Sequence, residues 1–149
     1  MAEHILYIIL ILLLVGATVT DLKERLIYDR FVVIGLVAAV MIRVFHRTEP
    51  WWNYLLTGLG VFIVLMIIAA FTNERSIGGG DVKLFAMLGL AVGWKAFLLI
   101  FFLSHFMAAI YVLGVKLLFW KKVSRHYEFP FAPFILLATS IVYGTFHLL

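Results

Sequence analysis

The sequence predicts an all-α, polytopic membrane protein with six transmembrane helices. Of its 149 residues, 65% are hydrophobic and only 13% are charged. The mean hydropathy is +1.12, and a soluble domain usually carries about 25% charged residues. Because so few charges cannot cover a water-facing surface, lipid is the predicted solvent. One spanning helix takes about 20 residues, so six helices would fill a single transmembrane domain over residues 1–149.

The apolar runs are separated by short polar or glycine-containing breaks. We predict helices over residues 5–20, 31–44, 54–71, 82–93, 96–118 and 131–148. The first run lacks the positive flank of a signal peptide, so we expect it to be retained as a helix. The break between the fourth and fifth helices is placed at Gly93-Trp94-Lys95, and a turn at Ser104-His105 would leave the number of helices unchanged.

Basic residues divide unequally between the two sides of this arrangement. The loops after helices one, three and five hold Lys23, Arg25, Arg30, Arg75, Lys83, Lys116, Lys121, Lys122 and Arg125, and the opposite loops hold Arg43, Arg47 and Lys95. The positive-inside bias places the larger set in the cytoplasm and both termini outside. Asp21 and Asp81 then lie on the same cytoplasmic side, although 60 residues separate them.

Charge and cysteine content exclude several classes of function. The net charge of +4 is attributed to topology, and no dense basic cluster with interleaved aromatics suggests nucleic acid. The patch of Lys121, Lys122 and Arg125 favours contact with anionic membrane lipid. With no cysteine, disulfides, thiolate zinc sites and a cysteine nucleophile are excluded. His105 is expected to be a packed or interfacial residue rather than a ligand, and no cofactor or metal is predicted.

Asp81 follows three glycines and opens the short fourth helix. The 14 residues from Asp81 to Lys95 would rise about 21 Å, against a hydrocarbon core of about 30 Å. If this helix spans, Asp81 must be recessed, where non-helical backbone is tolerated only within protein or beside water. Three residues without Cβ would allow positive φ angles and the close approach of a substrate backbone. We therefore predict a recessed aqueous cleft.

Asp21 and Asp81 together suit the chemistry of peptide hydrolysis. Two adjacent carboxylates cannot easily both ionise, so one is expected to hold a proton. The ionised group would take a proton from water while its partner polarises the scissile carbonyl. Structural roles are equally open on these grounds, since Asp21 suits a solvated loop and Asp81 a helix N-cap.

Three ordered motifs resemble those of the type IV prepilin peptidases, which are membrane aspartic proteases of the GxGD type. The segment DLKERLIYD at 21–29 is similar to the first motif, in which an aspartate precedes a basic stretch and Ile-Pro-Asn or a near variant. The segment GGGDVKL at 78–84 matches Gly-x-Gly-Asp-x-Lys-Leu. The segment PFAPF at 130–134 matches a proline-containing motif that opens the last helix of that family.

The resemblance implies an endopeptidase of the cytoplasmic (inner) membrane that removes basic leaders from prepilin or pseudopilin substrates at the cytoplasmic face. It implies that Asp21 and Asp81 are the catalytic pair. The remaining motif residues are expected to shape the site or bind substrate: Gly78, Gly79, Gly80, Lys83, Pro130 and Pro133. For Lys83, a role as an interface anchor is equally open.

Two departures from the family pattern affect these expectations. Tyr28 replaces the usual proline, which bears on the shape of the first loop. The cysteine motifs and N-terminal domain of the bifunctional enzymes are missing, so we expect the short, peptidase-only form without N-methyltransferase activity. Tyr28-Asp29 also resembles the Tyr-Asp motif of presenilin-type proteases, but the recessed position favours Asp21 over Asp29 as the first catalytic residue.

Two other classes of function compete with a protease. A small carrier or channel component could bind ions through the aspartates, and a non-catalytic assembly subunit could share the fold. An inverted internal repeat would favour a carrier, and none is evident in the sequence.

Overall fold

The computed structural model describes residues 1–73, 77–119 and 129–147, and within them it is all-α, as predicted. The five helices are α1 (Ala2–Glu24), α2 (Asp29–Phe45), α3 (Trp51–Phe71), α4 (Gly79–Leu118) and α5 (Ala132–His147). Four basic residues used to predict the topology, Arg75, Lys121, Lys122 and Arg125, lie outside the described residues, as does the predicted end of the last helix at Leu148.

The helices have the length and the surface of a membrane protein. Helices α1, α3 and α4 are long and apolar enough to cross a membrane, and α5 is a shorter apolar helix. Large apolar side chains are exposed along their outer faces, which a water-soluble protein would not tolerate over so large an area. A membrane protein is therefore confirmed. The predicted number of six spanning helices is not confirmed, because the described residues form five helices.

Helix α4 reverses direction at Gly93. The ring of Phe85 lies 5.1 Å from that of Phe101 and 5.6 Å from that of His105. In a straight helix Phe85 and Phe101 would be about 24 Å apart. The chain therefore folds back, so that a first arm (79–92) packs beside a second arm (94–118). The break predicted at Gly93-Trp94-Lys95 is present, and the chain is helical through Ser104-His105.

The backbone groups released at this reversal are bound by neighbouring helices. Gly93 has φ 77° and ψ 172°, a region essentially restricted to glycine. The N–H of Trp94 donates to Asn53 Oδ1 of α3 at 3.1 Å. The carbonyl of Ala91 accepts from Arg43 Nε of α2 at 2.9 Å. Since unpaired backbone groups are costly in an apolar interior, these two contacts explain how the turn is stable.

We expect Gly93→Ala to lower the free energy of unfolding by about 1–3 kcal/mol, because any L side chain is strained at this backbone conformation. Gly60→Ala is the matched control: a Cβ at Gly60, in α3, would meet no atom within 4 Å. Alanine there should be neutral or stabilising by about 0.5–1 kcal/mol. Denaturant unfolding of the detergent-solubilised variants measures both, and equal effects would contradict the assigned strain.

The first arm of α4 is the centre of the bundle. Helix α4 packs against α2, α3 and α5, and α1 packs against α2 and α5. The first arm approaches α3 closely, since a Cβ on Gly58 would lie 2.8 Å from Leu90 Cβ. This packing brings the end of α1 and the starts of α4 and α5 to one end of the bundle.

Candidate active site

Asp21 lies in the last turn of α1 and is anchored by the start of α5. The residue is 8% exposed, and its Oδ2 accepts a hydrogen bond from the backbone N–H of Ala132 at 3.1 Å. First-turn N–H groups have no partner within their own helix, and Asp21 supplies one from another helix. Pro133 follows in the same first turn of α5, where the N–H that a proline lacks would have no partner within the helix. The proline-containing segment thus orients the Asp21 carboxylate.

Asp81 lies in the first turn of α4, close enough to Asp21 for the two carboxylates to interact electrostatically. The Oδ1 atom of Asp81 is enclosed and has no hydrogen-bond partner among the described residues. Buried polar side chains are usually paired, so an enclosed and unpartnered carboxylate oxygen is typical of a working site rather than a cap. The structure brings the two predicted aspartates together, and their catalytic role stays a prediction.

The glycines before Asp81 do not have the backbone geometry that we expected. Gly79 and Gly80 belong to the first turn of α4, and Gly78 precedes it with φ −71° and ψ 149°. The expectation of positive φ angles at these three glycines is wrong, because the segment begins a helix instead of forming an irregular loop. Gly80 is needed for close packing: a Cβ there would lie 2.9 Å from Ile27 Cβ. Gly80 thereby lets the start of α4 approach the loop after α1.

The two arms of α4 differ in length. The second arm has eleven more residues than the first, which corresponds to about 16 Å. Because both arms start at Gly93, Asp81 lies well short of the level at which the second arm ends. This offset supports the predicted recess of Asp81, whose depth in a membrane stays a prediction.

Lys83 connects the first two motifs. Its Nζ lies 2.7 Å from Asp29 Oδ1, and the two side chains are 41% and 66% exposed. Exposed ion pairs contribute only about 0–1 kcal/mol, so this pair adds little to the packing of α2 against α4. Asp29 is exposed and paired, whereas Asp21 is buried beside Asp81. The geometry favours Asp21 as the first member of the pair.

Tyr28 has the backbone conformation of the proline that it replaces. Its φ of −73° and ψ of 134° fall in the range to which proline is restricted, about −65 ± 15° in φ. The hydroxyl donates to Glu24, which raises the pKa of the Tyr28 phenol. The Arg30 guanidinium lies 4.7 Å from the centre of the Tyr28 ring. The substitution therefore leaves the loop in a shape that proline would also give.

Tyr28→Pro is expected to change the free energy of unfolding by less than about 1 kcal/mol. The lost hydrogen bond to Glu24 is exposed to solvent and contributes little, and the reduced freedom of the unfolded chain offsets about 0.4–1 kcal/mol. Val33→Pro, inside α2, should instead cost about 3 kcal/mol or more. Thermal unfolding distinguishes them, and a large loss with Tyr28→Pro would show that the loop needs the tyrosine side chain.

An aromatic cluster around His105 packs against Phe131, the residue before Ala132. The ring of His105 packs 5.6 Å from Phe85, 4.2 Å from Phe101 and 4.9 Å from Phe131. The predicted packed histidine is confirmed, and it joins both arms of α4 to the residue before Ala132. Sequence analysis missed this cluster and the Ala132 amide. The only available signal for the amide was its place inside the third motif.

The fold and the site together define a class of protein. It is a helical membrane protein in which two aspartates from separate helices are brought together. The family model of the type IV leader peptidases matches residues 8–113, a range that includes Asp21 and Asp81. The chain therefore belongs to the type IV leader peptidase family.

Curated relatives give the same result over most of the chain. A prepilin leader peptidase/N-methyltransferase of Bacillus subtilis is 32% identical, covering 91% of this chain and 54% of the relative. The corresponding protein of Aeromonas salmonicida is 26% identical, covering 84% and 44%. A prepilin peptidase of Methanocaldococcus jannaschii is 24% identical, covering 94% and 40%. The chain thus spans about half the length of these relatives or less, and no solved structure matches it significantly.

Proposed function

We propose that this chain is a membrane aspartic endopeptidase that removes the basic leader from prepilin or pseudopilin substrates. The observation that carries the proposal is the approach of Asp21 and Asp81 from separate helices, with one oxygen enclosed and unpartnered. The relatives described above are named as prepilin peptidases or prepilin leader peptidases. The proposed substrate has a short basic leader ending in glycine, followed by a hydrophobic helix with an early glutamate.

In the proposed reaction, a water molecule between the two carboxylates is the nucleophile. The ionised aspartate accepts a proton from this water as the water oxygen bonds to the scissile carbonyl carbon. The protonated aspartate donates its proton to the carbonyl oxygen, which gives a neutral tetrahedral diol. Collapse of the diol breaks the C–N bond, with one proton passing to the leaving nitrogen. The products are a free carboxyl group and a new amino terminus.

We place the active site at the cytoplasmic face of the cytoplasmic membrane. Lys23, Arg25 and Arg30 lie near the aspartate end of the bundle. At the opposite end, Arg43 and Lys95 are each paired with a glutamate. The excess of basic residues at the aspartate end supports this orientation through the positive-inside bias.

Cleavage of a prepilin-like peptide by the purified protein in detergent tests the proposal, with mass spectrometry to locate the cut. We expect one cut after the leader glycine. Asp29→Asn is the comparison variant, and it should retain activity close to wild type because Asp29 is exposed and lies outside the carboxylate pair. Absence of cleavage by wild type would overturn the proposal in favour of a carrier or an assembly subunit.

A further inference from the structure

Thr18 lies on the inward face of α1, one turn before Asp21. Thr18 is 9% exposed and Asp21 is 8% exposed, and residues three apart on a helix are neighbours on one face. The hydroxyl oxygen of Thr18 is enclosed but has no hydrogen-bond partner in the described part of the chain. A buried, unpartnered hydroxyl costs stability that a valine would not. Folding alone therefore does not account for a threonine here.

Thr18 differs in this respect from the other threonines of the described helices and helix ends. Each of those hydroxyls donates to a backbone carbonyl three or four residues earlier, which is how helical threonines are usually satisfied. The residues are Thr20, Thr57, Thr72, Thr139 and Thr145. The hydroxyl of Thr18 remains available for another partner.

The second enclosed, unpartnered side-chain atom within the described residues is Asp81 Oδ1. Asp81 interacts with Asp21 electrostatically, and Thr18 neighbours Asp21 on α1, so the residues that carry the two unpartnered atoms are both neighbours of Asp21. A hydroxyl can donate one hydrogen bond and accept others. A buried water needs about two to four polar partners, and these three side chains supply them.

We propose that Thr18 is a positioning residue of this site, whose hydroxyl holds the attacking water against Asp21 and Asp81. This inference rests on the proposed peptidase function. The Thr18 hydroxyl orients a lone pair of the water oxygen toward the scissile carbonyl carbon, while the proton of the water passes to an aspartate. Thr18 forms no covalent bond and keeps its own proton.

Three variants of the full chain test this role: Thr18→Val removes only the hydroxyl, Thr18→Ser keeps it, and Thr139→Val is the control. Thr139 is buried as well, but its hydroxyl donates to the Ile135 carbonyl. We expect Thr18→Val to lower kcat for a prepilin-like peptide by about 10- to 100-fold with KM little changed. Thr18→Ser should restore most of kcat, and Thr139→Val should leave kcat near wild type.

Thermal unfolding of the same variants separates positioning from structural support. Thr18→Val should have a Tm equal to or above wild type, because it removes an unpartnered polar group, whereas Thr139→Val should have a lower Tm. If wild type cleaves the peptide and Thr18→Val cleaves it with undiminished kcat, the role of Thr18 is overturned but the peptidase function is not. A lower Tm in Thr18→Val would make the residue structural and would also overturn it. No cleavage by wild type would instead overturn the peptidase function.

Discussion

Asparagine in place of Asp21 or Asp81 is expected to reduce peptide cleavage by about 1,000-fold or more. General acid–base catalysis contributes about 10²–10⁴-fold, and in the proposed reaction each aspartate handles a proton. Asparagine preserves size and, at position 21, keeps an oxygen that accepts the Ala132 N–H. The fold should therefore survive while the proton transfer is lost. Initial rates with a prepilin-like peptide, measured beside Tm, are the test.

The double variant Asp21→Asn/Asp81→Asn provides the sharper measurement. Residues that act as one catalytic unit show strongly non-additive effects, so the double variant should be no slower than the slower single variant. Multiplied losses would show that the two carboxylates act independently. A cleavage rate near wild type in either single variant would exclude that aspartate from the chemistry.

Arg43→Met is expected to lower the free energy of unfolding by about 1–3 kcal/mol, because it leaves the buried Ala91 carbonyl without its hydrogen-bond donor and the half-buried Glu3 without its ion-pair partner. Arg43 is 2% exposed and pairs with Glu3 of α1. It also donates to the Ala91 carbonyl at 2.9 Å, and its guanidinium lies 4.5 Å from the centre of the Tyr54 ring. One side chain thus joins four helices at the end opposite the aspartates.

Lys95→Met is the matched control at the same end of the molecule. Lys95 pairs with Glu49 at 3.1 Å, but the two side chains are 65% and 36% exposed. Exposed pairs contribute about 0–1 kcal/mol, so this variant should unfold almost as wild type does. A similar small loss for Arg43→Met would mean that the buried network does not hold the helices together.

The sequence predicted features that depend on composition and chain order. The polarity of the loops placed Asp21 and Asp81 on one side, and the glycine at position 93 located the break in α4. Arg43 was interpreted as a loop charge on the opposite side, yet it lies in the last turn of α2 and is buried. Only the loop position is wrong, because the burial of Arg43 requires Glu3 and the Ala91 carbonyl, which the folded bundle alone supplies.

The geometry of the site itself was less accessible to sequence reasoning. The bond from Ala132 to Asp21 joins a main-chain amide to a side chain 111 residues away, and the third motif marks the segment without indicating its partner. The triple glycine suggested an irregular loop, although its function at Gly80 is close packing against Ile27. Residue types indicated which groups meet, whereas the contacts that orient them depend on tertiary packing.

The amide that orients Asp21 lies 111 residues further along the chain. During synthesis the first aspartate is therefore made long before the group that fixes it, and the second follows while α5 is still absent. The hydrogen bond from Ala132 to Asp21 can form only when the start of α5 lies against α1. A partly inserted chain that has not yet added α5 thus lacks the contact that anchors Asp21 in the completed bundle.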